Sequence, residues 1–155
     1  MKTKLEEFIL YGSLGWLQHN TALSEVTAKL GAPKSRLKIT QSARPYDQFL
    51  LSYIDLEIDV GEGLVSGITL RSWSADAELP FKVELAGFKD TANITASELK
   101  SLLAEHDIEW VPCRFMAKAD QFVMVTTNDV HLIFDDDERL VRVAFAPEMH
   151  SMYFK

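Results

Sequence analysis

Cysteine is almost missing: Cys113 is the only one in 155 residues. A single thiol makes neither an internal disulfide nor a thiolate metal cluster, which excludes the disulfide-rich secreted modules and the cysteine-based zinc modules. Cys113 therefore reads as a small apolar residue of the interior rather than as a nucleophile. Long apolar runs are missing as well. A membrane helix needs about 18 such residues in succession, and the best candidate, Phe8 to Leu17, falls well short. That segment also fails as the apolar part of a signal peptide. Glu6 and Glu7 put acid where a signal carries base, and Gln18-His19-Asn20 stand where small cleavage-site residues belong. The expectation is an unprocessed cytoplasmic protein with no membrane partner. With 7 glycines and 5 prolines the chain is not collagen-like or of low complexity, and 47% hydrophobic with 25% charged residues is the balance of an ordinary globular domain.

Positive charge is in deficit. Sixteen Lys and Arg against 23 Asp and Glu leave a net charge of −7. Nucleic-acid binders cluster bases to neutralise phosphates, so a nucleic-acid partner is not expected. The imbalance is also uneven. Residues 1–74 hold eight bases and eight acids, which leaves eight bases and fifteen acids for 75–155. A negative field confined to one half steers a basic partner toward it, beyond keeping the chain in solution.

Self-comparison shows an internal correspondence. Ser24-Glu25-Val26 matches Ser97-Glu98-Leu99, Asp47-Gln48-Phe49 matches Asp120-Gln121-Phe122, and Phe8 matches Phe81, all at an offset of 73. Asp55-Leu56 matches Asp129-Val130 at 74, and Leu64-Val65 matches Leu140-Val141 at 76, a drift that small turn insertions produce. Ordered matches of this kind predict a tandem duplication, with units 1–74 and 75–155 closely packed as one globule.

Each unit then has one description. Thr21 to Leu30 carries Leu23, Val26 and Leu30 at helical spacing, with Thr21 or Ser24 as cap and Gly31-Ala32-Pro33 as stop. Its counterpart begins at Thr95 and carries Leu99, Leu102 and Leu103. A strand follows each helix, Leu37 to Gln41 and Glu109 to Cys113. Three more strands follow in each unit: Gln48 to Tyr53, Leu56 to Val60 and Leu64 to Arg71, then Gln121 to Thr126, Val130 to Phe134 and Leu140 to Ala146. Gly61-Glu62-Gly63 and Asp135-Asp136-Asp137-Glu138 fall in equivalent hairpin turns. Phe8 to Trp16 and Phe81 to Phe88 lead into the units as an apolar strand or short helix. The expected fold class is α+β: two tandem repeats, each one main helix packed on a four-stranded antiparallel meander.

The run Asn20-Thr21-Ala22-Leu23-Ser24-Glu25-Val26, followed by Leu30-Gly31-Ala32-Pro33, resembles the helix signature of the beta-lactamase inhibitor protein family and of the small barrel-assembly lipoproteins. Their helix starts with a Gly-Met-Thr-like segment and leaves through Leu-Gly-x-Pro. The resemblance implies helical residues on four-stranded antiparallel sheets, arranged in tandem, and a protein that works by binding another protein.

Catalytic constellations do not emerge from the spacing. His19, His106, His131 and His150 lie far apart with no i,i+4 pair, so no metal ligand set is expected. The acids of 135–138 lack the alternating ligands of a calcium loop and read as a solvated turn. Gly12-Ser13-Leu14-Gly15 is too short to cradle a phosphate, and no serine sits in a nucleophile elbow. Asp55 and Asp129 are either an acid–base pair across a cleft or turn residues before two strands. No cofactor is expected, and the chain is not expected to be an enzyme.

The two sheets differ on their outward faces. Glu57, Asp59, Thr69 and Arg71 make the first one wet, whereas the second carries Val123, Val125, His131, Ile133, Arg142 and Ala144. An apolar face with a polar rim either packs within the molecule or meets a partner. Trp16, Trp73 and Trp110 divide in the same way between core and anchor. The candidate partner-binding set is Val123, Val125, His131, Ile133 and Arg142 with Asp135, Asp136 and Asp137. The functional expectation is a non-catalytic binding module of the kind bacteria use as inhibitors or immunity proteins, neutralising a basic toxin or enzyme. The competing expectations are a ligand-binding protein or enzyme with a pocket between sheet and helix, and a structural subunit of an assembly.

Overall fold

The expected strands are all present in the computed structural model, which describes residues 2–39, 48–113, 122–147 and 154. Strand β1 (Lys2–Lys4) runs directly into helix α1 (Leu5–Tyr11), and helix α2 (Leu23–Leu30) follows. Strands β2 (Ser35–Ile39), β3 (Gln48–Ser52), β4 (Leu56–Gly61) and β5 (Leu64–Leu70) come next. A short β6 (Lys82–Glu84) precedes helix α3 (Ala96–Glu105). The chain then forms β7 (Trp110–Pro112), β8 (Phe122–Thr126), β9 (Val130–Phe134) and β10 (Leu140–Phe145).

The assembly of these elements corrects the expected fold class. Among the described residues the molecule is mostly β, with ten strands and three helices. It is not two repeats of a helix on its own four-stranded meander. One continuous eight-stranded antiparallel sheet runs in the order β2-β3-β4-β5-β10-β9-β8-β7. The join is the β5–β10 ladder, where Ile68 faces Phe145, Thr69 faces Ala144 and Leu70 faces Val143. A terminal strand exposes a row of unpaired N–H and C=O groups, and pairing two such edges satisfies both. Hydrophobic alternation reveals a strand and its faces but says nothing about which edges will join.

The leading segments also depart from a repeat. Phe8 lies inside α1, whereas Phe81 stands just before β6. β6 pairs in parallel with β1, Thr3 opposite Val83, in a separate two-stranded sheet that ties the start of the chain to its middle. Ser24 and Glu25 lie in α2 and Ser97 and Glu98 in α3, while Phe49 lies in β3 and Phe122 in β8. Asp47, Asp120 and Gln121 lie outside the described residues.

One main core fills the space between the helices and the inner face of the large sheet. Leu5, Phe8 and Ile9 from α1, Val26 from α2 and Leu99 and Leu103 from α3 meet Leu51, Ile58, Ile68, Val130, Leu132 and Phe134. Each such side chain contributes about 1.5–3 kcal/mol on burial. Gly12 ends α1 in a left-handed conformation, φ +72°, and a Cβ there would lie 2.3 Å from the Phe145 ring. Glycine is thus needed both for the cap and for the close approach of α1 to β10. The Asn128 side-chain amide donates to the Leu10 carbonyl at 2.8 Å, satisfying one of the helix's last acceptors.

Helix caps follow the sequence only in part. Thr95 Oγ1 accepts from the Glu98 N–H at 3.2 Å, as the α3 signature implies. At α2 the cap position is Ala22, without a side-chain bond, and Thr21 turns backward to donate to the Trp16 carbonyl at 3.1 Å. Among the described residues, no helix is long and apolar enough to cross a membrane.

Candidate functional site

The expected binding face is assembled by the sheet, then covered. Cross-strand pairing brings Val125 opposite His131 and Val123 opposite Ile133, and places Ala144 beside His131 and Arg142 beside Ile133. Val123, Val125, His131 and Ile133 are all at most 6% exposed. Val123, Val125 and Ile133 form a second cluster with Cys113, against which Val111 and Phe154 pack. The four residues are therefore interior, not an accessible surface. Arg142 in β10 remains exposed. The outward position of a residue in a strand settles its face, and whether another segment lies on that face is a tertiary matter.

His131 shows the electrostatic result. Burial pushes its pKa below the ordinary imidazole value of 6.5, while the backbone of Asp129 and Ala144 and the Asp129 carboxylate pull the other way. A neutral ring is the form the interior favours.

Asp135, Asp136 and Asp137 occupy the β9–β10 turn, with Asp135 half-buried and the other two exposed. Asp135 makes the turn: its Oδ1 accepts from the N–H groups of Asp137 at 3.0 Å and Arg139 at 2.9 Å. The three carboxylates approach within 4.8 Å of one another. Arg139 already supplies a cation there, at 2.6 Å from Asp137 and 3.5 Å from Asp135. The turn abuts the start of α3, because the Ala96 N–H donates to the Glu138 carbonyl at 3.0 Å and the Leu140 N–H to the Ile94 carbonyl at 2.7 Å.

From that turn the acidic surface continues along α3. Glu98, Ser101, Leu102 and Glu105 stand at i, i+3, i+4 and i+7 and line one groove of about 290 Å³, beside the buried stripe of Leu99 and Leu103. Its far wall is Glu6 from α1 with Gly87 and Phe88. Three carboxylates and the apolar side chains of Phe88 and Leu102 thus line the same groove. The α3 stripe was readable from helical spacing. Nothing in the sequence places Glu6 across from it.

The remaining candidates are also accounted for. Asp55 is a turn residue that clamps a neighbouring segment, its Oδ2 accepting from the Glu78 N–H at 2.8 Å. Asp129 lies in the β8–β9 turn with φ +66°. Trp16, Trp73 and Trp110 are half-buried and pack on the main core; the Trp73 indole donates to the Thr91 carbonyl at 3.2 Å.

No family model matches the chain, and no curated protein matches it significantly. Among solved structures it is similar to an extracellular protein containing an SCP domain from Bacillus anthracis str. Ames, with 13% identity and a TM-score of 0.46 over 82% of this chain. The chain spans 43% of the length of that protein. A likeness at this level carries no argument about fold or function.

Proposed function

We propose that the chain is a non-catalytic protein-binding module, an inhibitor or immunity protein acting in the cytoplasm on a basic toxin or enzyme. The observation that carries the reading is the α3 groove, which Glu6, Glu98 and Glu105 line together with Phe88 and Leu102. Apolar contact inside a charged rim is the usual anatomy of a protein interface, in which the rim sets association rate and the anchors set lifetime. The excess of acid in residues 75–155 supports the same direction of charge complementarity. The buried apolar face of β8 and β9 contributes to stability in this reading, not to recognition.

Co-purification of the intact chain from its native host, followed by mass spectrometry, tests the proposal. A stoichiometric basic protein is the expected result. Recovery of the chain alone, or with acidic companions only, contradicts it.

A further inference from the structure

Another depression, with lysines on its rim, is not used by the reading above. A cavity of about 460 Å³ is bordered by Lys34, Tyr53, Ile54 and Glu78. Another of about 470 Å³ is bordered by Trp16, Lys29, Phe81 and Lys82. Leu30 and Pro80 line both, so the two form one groove between the end of α2 and the segment leading to β6.

The walls are held by specific bonds. Tyr53 Oη donates to the Gly31 carbonyl at 2.9 Å, which pins the end of α2 to the β3–β4 hairpin. Asp55 holds the other wall twice, accepting from the Glu78 N–H at 2.8 Å and donating its own N–H to the Glu78 carbonyl at 3.2 Å. Lys29 Nζ sits 4.6 Å from the Trp16 ring centroid and 2.8 Å from Glu25. A groove braced in this way is preformed, and its volume lies within the usual range for small-molecule sites, roughly 300–1,000 Å³.

Ile54 is the independent observation. The Tyr53 N–H donates to the Leu56 carbonyl at 2.8 Å, which leaves Ile54 and Asp55 as a two-residue hairpin loop. Ile54 takes φ +75° there and is 39% exposed. Among the described residues it is the one β-branched side chain in the left-handed region. Glycine or asparagine suits such a turn, and a β-branched residue is strained in it. A strained, partly solvent-facing isoleucine at the mouth of this groove points to a ligand contact.

The charge of the lining names the ligand class. Lys34 and Lys82 border the groove with one lining carboxylate, Glu78, while Lys29 is already paired with Glu25, in a protein whose net charge is −7. We propose that this groove binds a small amphipathic organic anion, whose aromatic or aliphatic body lies against Ile54, Leu30 and Trp16 while its carboxylate, sulfonate or phosphate group meets the rim lysines.

The test is a fluorescence titration of the intact chain with anilinonaphthalene sulfonate, an aromatic sulfonate, alongside a neutral apolar dye and inorganic phosphate. Saturable one-to-one binding of the sulfonate, much stronger than that of the dye or of phosphate, is expected. Ile54→Gly should raise the melting temperature by relieving the turn and yet weaken binding at least about fivefold through the lost apolar contact. The double variant Lys34→Glu, Lys82→Glu should stay folded, since both side chains are exposed, and weaken binding at least about tenfold. Absence of saturable binding by the folded chain overturns the proposal. So does affinity that survives either variant unchanged, the first removing the apolar half of the site and the second the anionic half.

Discussion

Gly87 and Glu6 approach as closely as only a glycine allows. A Cβ built on Gly87 would lie 2.7 Å from Glu6 Oε2, at a backbone φ of +100°. The acidic groove on α3 closes at this point. Gly87→Ala should therefore cost about 1–3 kcal/mol from backbone strain alone, and more if the Glu6 carboxylate cannot move aside. A fall of several degrees in the thermal midpoint is the expected observation; an unchanged midpoint would mean that α1 and the 87 loop do not meet here.

Ile133→Asp should unfold the chain. The side chain is 6% exposed in the cluster of Val123, Val125 and Cys113, and an unpaired carboxylate there costs several kcal/mol, a large share of the stability of a domain this size. Ile133→Val, which removes only a methyl group, should lose about 0.5–1.5 kcal/mol and stay folded. A soluble, cooperatively melting Ile133→Asp chain would return this face to the surface.

The β9–β10 turn should separate its three aspartates. Asp135→Ala removes an acceptor shared by two backbone N–H groups and an Arg139 contact, at a cost of about 1–2 kcal/mol. Asp136 is exposed, and its replacement should stay within about 0.5 kcal/mol. Denaturant midpoints of the two variants measure the difference, and equal losses would contradict the role assigned to Asp135.

Stability should decline in mild acid through His131. Its folded pKa is depressed below 6.5 by burial, so the unfolded chain binds the proton more readily. The contribution is complete above the unfolded value of about 6.5 and is lost as pH falls toward the folded value. Thermal midpoints of the native chain and of His131→Gln, taken from pH 7.5 to 5, should diverge in slope, with the variant flatter. Parallel slopes would show that another group is responsible.

The strands of the large sheet were legible in the sequence through period-two alternation or apolar runs bounded by turn residues, as in Leu56-Glu57-Ile58-Asp59-Val60, whereas β1, Lys2-Thr3-Lys4, carried no such signal. The pairing of β5 with β10 was not, since a ladder is made of backbone groups common to every residue. The same limit explains the misplaced surface. Val123 and Ile133 announce an apolar face, yet what lies on that face depends on where Phe154 returns in space. Thr95 was recognisable as a cap, while Thr21 was diverted by the Trp16 carbonyl, a contact that no local pattern encodes. At the α3 groove two of the three acids, Glu98 and Glu105, shared one helical stripe, and the third, Glu6, arrived from α1.

The most direct measurement is the association rate of the co-purified partner with the intact chain and with Glu98→Lys, Glu105→Lys, each followed as ionic strength rises. Exposed charges more than about 8 Å apart are largely screened at physiological salt. Association with the intact chain should therefore slow steadily as salt is added. The double variant should bind at least about tenfold more slowly at low salt, with a much flatter salt dependence and a thermal midpoint close to that of the native chain. A partner that binds both chains at the same rate, indifferent to salt, would contradict recognition through the acidic face of α3.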